Sequence, residues 1–227
     1  MRAATLSALN EARREQRAVI VATWLDSGDE KLIALGDAPD PELADAVADA
    51  FASDRSTAVE IDGRRLFLHV FNPPLRLIVV GAVHVAEPLA ALARITGYAM
   101  TVIDPRHAWT DTTRLPGITL LNAWPDDAMA ELAPDHRTAV VTLTHDPKID
   151  DPALHFALRA PVFYIGALGS TRTHAKRVSR LTEGGFDEAL ITRIKGPVGL
   201  DIGARTPSEI ALSIMAEVVA AQRGKLA

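Results

Sequence analysis

Four stretches hold the residue types that could do chemistry, and the first three follow apolar, β-branched runs. The first is Gly81-Ala82-Val83-His84-Val85-Ala86. A glycine turn of this kind between a strand and a helix can cradle phosphate, because a helix N-terminus offers free N–H groups and a partial positive charge. The dinucleotide fingerprint G-x-G-x-x-G has its three positions here at Gly81, Val83 and Ala86. Asp104 lies 23 residues after Gly81, at the end of the next apolar run, where an acid would accept ribose hydroxyls. Val83 sets a β-branched side chain where the middle glycine would let a pyrophosphate approach. Replacing Val83 by glycine is therefore expected to strengthen dinucleotide binding. His84 follows at the carboxyl end of the strand, where open α/β sheets bind ligands. A lone histidine is, however, more often a structural residue satisfied by a hydrogen bond.

The second stretch is Thr144-His145-Asp146-Pro147-Lys148-Ile149-Asp150. A histidine and two acids this close could bind a metal or move a proton. The plainer reading is a polar loop in which Asp146 or Asp150 caps the next helix. The third, Gly166-Ala167-Leu168-Gly169-Ser170-Thr171-Arg172, keeps the glycines that backbone approach to an anion requires, with Ser170 as an N-cap. Arg172, Lys176, Arg177 and Arg180 fall at spacings that give the following helix one basic face, either an anion site or a solvated surface. The fourth, Gly196 to Arg205, packs Gly199, Asp201, Gly203 and Arg205 ahead of a capping box made by Thr206, Pro207 and Glu209.

The elements that must position these residues follow from periodicity and punctuation. Over residues 1–16 the pattern is a short amphipathic helix. Ala18–Leu25 and Lys31–Leu35 read as strands, Pro41–Phe51 as a helix, and Thr57–Ile61 and Arg65–Phe71 as strands joined by the hairpin pair Asp62-Gly63. Asn72-Pro73-Pro74 breaks the pattern, so a small α+β domain is expected at 1–72 and a second domain at 75–227. In the second, strands at Leu75–Val80, Ala99–Ile103, Thr119–Asn122, Thr138–Thr142 and Val162–Ile165 alternate with helices near Val85–Thr96, Asp126–Leu132, Asp151–Arg159, Ser170–Thr182, Phe186–Arg193 and Pro207–Gln222. A loop with Pro105, Arg106 and Trp109 follows the second of these strands. Alternation of this kind defines an α/β fold, a Rossmann-like parallel sheet with helices on both faces.

Composition bounds the function. The chain has 227 residues, 48% of them hydrophobic, enough for a full core. No run approaches the roughly 18–20 apolar residues of a membrane helix, and the first residues lack the apolar stretch of a signal peptide. With no cysteine, disulfides, thiolate metal sites and a cysteine nucleophile are excluded, which fits a cytoplasmic location. Residues 1–72 hold 8 Lys+Arg against 13 Asp+Glu, whereas residues 73–227 hold 16 of each. Such a balance argues against nucleic-acid binding, which needs a basic face.

Taken in order, Gly-Ala-x-His-Val-Ala, Val-Ile-Asp, Thr-His-Asp-x-x-x-Asp, Gly-x-Leu-Gly-Ser and Gly-Leu-Asp-Ile-Gly-Ala-Arg-Thr-Pro-x-Glu-Ile-Ala resemble one family. It is the C-terminal Rossmann-like domain of the XdhC/CoxI proteins, accessory factors for xanthine dehydrogenase and related molybdenum hydroxylases. The resemblance covers about residues 75–223. It implies a chaperone without turnover that binds molybdenum cofactor (molybdopterin), protects it during sulfuration and delivers it to an apo molybdenum hydroxylase. It also implies a homodimer and contact with a cysteine desulfurase. Gly81, His84, Asp104, His145, Asp146, Gly169, Ser170, Arg172, Asp201, Gly203 and Arg205 are the candidate cofactor-binding residues. Two features depart from the family pattern. Val83 replaces the middle glycine, and residues 1–72 show neither the Gly-Ser-x-Pro nor the Gly-Gly-Cys-Val-Glu-like stretch. The alternatives are an NAD(P)- or FAD-dependent oxidoreductase built on the Gly81 turn and Asp104, and a scaffold that has lost its ligand.

Overall fold

In the computed structural model, residues 1–106 and 117–226 are described; Trp109 lies outside them. The chain divides into two compact units, Met1–Pro73 and Pro74–Ala227.

The first unit is a four-stranded antiparallel sheet in the order β2-β1-β4-β3, built from β1 (Val19–Trp24), β2 (Glu30–Ala34), β3 (Thr57–Ile61) and β4 (Arg64–Phe71). Successive residues of a strand face opposite sides, and β1 uses both. Val19 and Val21 pack under Leu9 and Ala12 of α1 (Ala3–Arg14). Ile20 and Ala22 pack with Val47, Ala50 and Phe51 of α2 (Ala44–Ser53) on the other side. Pro41–Leu43, expected as the first turn of that helix, is a separate 3-10 turn. Asp62 and Gly63 have φ of 51° and 71°, the left-handed pair that a two-residue hairpin turn requires.

The second unit is the expected α/β fold, a six-stranded parallel sheet in the order β10-β9-β8-β5-β6-β7. Its strands are β5 (Arg76–Val80), β6 (Ala99–Ile103), β7 (Thr119–Leu121), β8 (Thr138–Thr142), β9 (Tyr164–Ala167) and β10 (Ile194–Lys195). The first strand in the chain, β5, lies mid-sheet. The chain runs outward to β7, then crosses back to β8, so the topological switch point falls between β5 and β8. Because helices cover both faces, the strands are apolar on both sides. Leu77 and Val79 pack under α3 (Ala86–Thr96) and α8 (Pro207–Gln222). Ile78 and Val80 pack under α4 (Pro125–Leu132) and α5 (Pro147–Arg159). Leu181 of α6 (Thr171–Glu183) and Ile191 of α7 (Glu188–Ile191) join that second layer.

Four expectations are corrected. Helix α5 starts at Pro147 and not Asp151, leaving Pro152 inside it. An interior proline costs about 3 kcal/mol. Offsetting this, Asp146 caps the Lys148 amide at 3.0 Å, and Ile149, Ala153 and Leu154 are buried. Strand β9 runs Tyr164–Ala167 in place of Val162–Ile165, so Gly166 is a strand residue. The helix expected at Phe186–Arg193 is a single turn, Glu188–Ile191, after which Ile194 and Lys195 pair with Ile165 and Gly166 as an unexpected sixth strand. Two residues are too short to show any periodicity.

Candidate functional site

The loops at the carboxyl edge of the parallel sheet are stitched to one another from β6 to β10. At the end of β6, Asp104 is fully buried and its carboxylate accepts four hydrogen bonds: from the Ala82 amide, the Arg106 amide, and Arg106 Nε and Nη2. Burial works to raise the Asp104 carboxyl. The bonds from Arg106 and Ala82 outweigh it and hold the pKa below the ordinary carboxylate value. The oxygens expected to meet a ribose are thus turned inward, onto the Gly81 turn.

Gly81 itself has φ of +113°, and a Cβ there would lie 2.6 Å from Thr144 Cγ2. What needs its missing side chain is the loop after β8, which closes against it at the switch point. Val83 is half-buried and packs into the core. His84 is exposed.

The loop after β8 consumes its own acids. Asp146 is the N-cap of α5. Asp150, 1% exposed, accepts from the Thr144 hydroxyl at 2.6 Å and from the Thr144 and His145 amides. Burial pushes its carboxyl up despite those bonds and the nearby Arg177 guanidinium. His145 sits in the left-handed region, φ 63°, with Nδ1 3.2 Å from the Leu168 carbonyl. Arg177 Nη2 donates to that same carbonyl at 3.0 Å, so the turn after β9 is pinned from two sides. The basic face expected on α6 is divided. Arg177 is buried, Arg180 forms a bidentate pair with Asp151, and only Arg172 and Lys176 are exposed. Ser170 caps α6 as expected, accepting from the Thr173 amide.

The stretch from Gly196 is laid over β9. A Cβ on Gly166 would come within 2.4 Å of Val198, and one on Gly199 within 2.4 Å of Ser213 Oγ. Both glycines are required by close packing. Glu217, buried on the apolar side of α8, accepts from the Gly199 amide at 2.7 Å and from the Tyr164 hydroxyl. Burial first, then the Glu217 carboxylate, raises the pKa of that hydroxyl far above its usual value. The capping box at Thr206 and Glu209 is complete.

This stitching leaves a cavity of about 490 Å³ between the turn after β9, the loop 197–204 and the start of α8. Leu168, Val198, Leu200, Ile202 and Ile210 give it apolar walls, Thr171 of α6 lies at its margin, and Asp201 lines it. Of the candidate residues Asp201 lines this cavity, and Gly169, Ser170 and Gly203 adjoin lining residues in the chain. His84, Asp104, His145 and Asp146 do not line that cavity. Among the described residues no group of three or more His, Asp or Glu could hold a metal ion, and no helix is long and apolar enough to cross a membrane. Asp150 and Arg177, read from sequence as a candidate acid and as part of a basic face, position these loops, as do Tyr164 and Glu217, which were not singled out from sequence. Their one signal is a charged or hydroxyl residue inside an otherwise apolar pattern, as Glu217 stands among Ile214, Met215 and Val218.

The fold defines a Rossmann-type domain. The family model of the XdhC Rossmann domain matches residues 77–218, and the chain belongs to that family. It is 36% identical over 148 residues to the molybdenum cofactor insertion chaperone PaoD of Escherichia coli (strain K12), over 65% of this chain and 40% of that one. It is 35% identical over 155 residues to a probable xanthine dehydrogenase subunit of Bacillus subtilis (strain 168), over 68% of this chain and 45% of that one. The chain thus spans less than half the length of these relatives. A crystal structure of a xanthine dehydrogenase from Bacillus halodurans superposes with a TM-score of 0.73 at 23% identity, covering 98% of this chain and 65% of that one. That likeness is one of fold.

Proposed function

We propose that the chain is a carrier of molybdenum cofactor that holds it at the carboxyl edge beside β9 and β10 and passes it to a xanthine dehydrogenase-type molybdenum hydroxylase. The observation that carries this is the cavity of mixed polar and apolar lining that reaches Thr171 in the N-terminal turn of α6. A pterin bearing a phosphate or pyrophosphate needs a slot for its ring and a cluster of donors for its anion. The residues fit that cargo. Gly169, at φ +141°, keeps the approach to α6 free of a side chain. Exposed Arg172 forms no ion pair among the described residues. The names of the two relatives, an insertion chaperone and a dehydrogenase subunit, point the same way. A carrier needs a site but no nucleophile or proton shuttle, which suits loops whose acids are committed to their own backbone. The same reading extends to a homodimer and to docking of a cysteine desulfurase.

The test is anaerobic binding of molybdopterin to the purified chain, followed by transfer to an apo-hydroxylase. Saturable binding and faster reconstitution of hydroxylase activity are expected. Failure to bind, or thermal stabilisation by NAD(H) exceeding that by molybdopterin at equal concentration, would overturn the proposal. A dinucleotide-dependent oxidoreductase is disfavoured because Asp104 already accepts four bonds and Gly81 is packed against Thr144.

A further inference from the structure

Among the described residues that line the 490 Å³ cavity, only Asp201 carries a charged side chain. One of its oxygens, Oδ1, accepts a long bond from the Gly203 amide at 3.4 Å; Oδ2 has no hydrogen-bond partner among the described residues. Its neighbours Leu200 and Ile202 line the same space and are 37% and 51% exposed. Large apolar side chains beside an underused carboxylate form a surface for a flat heterocycle, whose faces meet the apolar atoms while its edge meets the acid. A carboxylate is an acceptor only, with two oxygens side by side. Its complement is an edge with two parallel N–H groups, as in a bidentate pairing.

From this we infer that Asp201 determines specificity by taking the N2–H and N3–H edge of a 2-amino-4-oxo-pyrimidine ring, the ring of pterins and guanine, seated in this cavity. The inference rests on the carrier reading above and adds which end of the ligand lies where. The ring sits between Leu168, Ile202 and Ile210, and the anionic tail extends past Thr171 to the N-terminus of α6. Other common cofactor rings do not fit. A flavin sets its N3–H between two carbonyls, and adenine sets an acceptor beside its amine. Either would press an acceptor against an Asp201 oxygen, and an unpaired acceptor of this kind is costly.

The test uses two fluorescent probes, pterin and lumazine, which share the fused ring and its N3–H but present a 2-amino against a 2-oxo group beside it. Both are titrated onto the full chain and onto its Asp201→Asn and Asp201→Ala variants, with thermal melts confirming that all three proteins are folded. Wild type is expected to bind pterin roughly tenfold or more tightly than lumazine. Asp201→Ala is expected to lose the preference. Asp201→Asn is expected to reverse it, because the amide can donate to the 2-oxo group while accepting from N3–H. Equal affinities on wild type, or an unchanged pterin preference in Asp201→Asn, would overturn the inference. Molybdopterin binding by the same proteins separates the two levels. If wild type holds molybdopterin but does not distinguish the probes, this inference fails and the carrier reading stands. If it holds neither molybdopterin nor pterin, both fail.

Discussion

Asp150 Oδ2 and Arg177 Nη2 lie 3.8 Å apart, with both side chains 2% exposed. Asp150 ties down the loop after β8 through the Thr144 and His145 amides, and Arg177 ties down the turn after β9 through the Leu168 carbonyl. One buried pair thus sets the spacing of two loops at the edge. The pairing is imperfect, since Arg177 Nε and Nη1 have no hydrogen-bond partner among the described residues. Burial lowers the Arg177 pKa even with the Asp150 charge beside it.

Arg177→Met leaves Asp150 buried without a counter-charge and is expected to cost about 3–5 kcal/mol in urea unfolding. In the variant the Asp150 carboxyl, already raised by burial, rises further. A raised carboxyl binds its proton more tightly folded than unfolded. Stability must then fall as pH climbs from about 3.9 toward the folded-state value, more steeply than in wild type. Adding Asp150→Leu should recover part of the loss and flatten that slope.

Asp104 has the opposite sign. Its lowered pKa gives stability that is present above about 3.9 and is lost as pH falls through the folded-state value. Asp104→Asn is expected to cost about 1–3 kcal/mol at neutral pH and to weaken the acid dependence of the urea midpoint between pH 7 and pH 3.

Val83→Gly by itself is expected to leave NAD(H) binding, measured by calorimetry, no stronger than in wild type. Sequence spacing alone leads to the opposite expectation. Removing the valine does not free the Asp104 oxygens from Arg106 and Ala82, so the ribose end of a dinucleotide still lacks its acceptor.

Gly81→Ala adds a Cβ 2.6 Å from Thr144 Cγ2 at a backbone angle that L-residues rarely adopt. A loss of about 1–3 kcal/mol is expected. Thermal melts should show it as a fall of about 2–4 °C for each kcal/mol.

Glu217→Ala strips the Gly199 amide and the Tyr164 hydroxyl of their shared acceptor. About 2–3 kcal/mol of stability should be lost. Hydrogen exchange at Gly199 should speed up more than in Tyr164→Phe, which keeps the bond from Glu217 to Gly199.

Sequence alone determined the order of strands and helices apart from the short strand β10, the capped starts of α6 and α8, the hairpin at Asp62-Gly63 and the α/β class. Each of these follows from local periodicity, capping chemistry or backbone preference, which a chain carries within a few residues. It also marked the right edge, because glycine turns after apolar runs fall at the carboxyl ends of parallel strands. Only the tertiary structure decided what the marked residues do there. Asp104 and Asp150 read as open acids, yet each is closed by donors from its own and neighbouring loops. Gly81 and Gly166 read as ligand approaches, yet Thr144 and Val198 occupy the space beside them. Arg177 read as part of a basic face and is buried against Asp150. Such roles depend on which loops a parallel sheet sets side by side, a relation between distant residues that no local spacing encodes. What remained open after that packing was the cavity at Asp201, beside the N-terminus of α6.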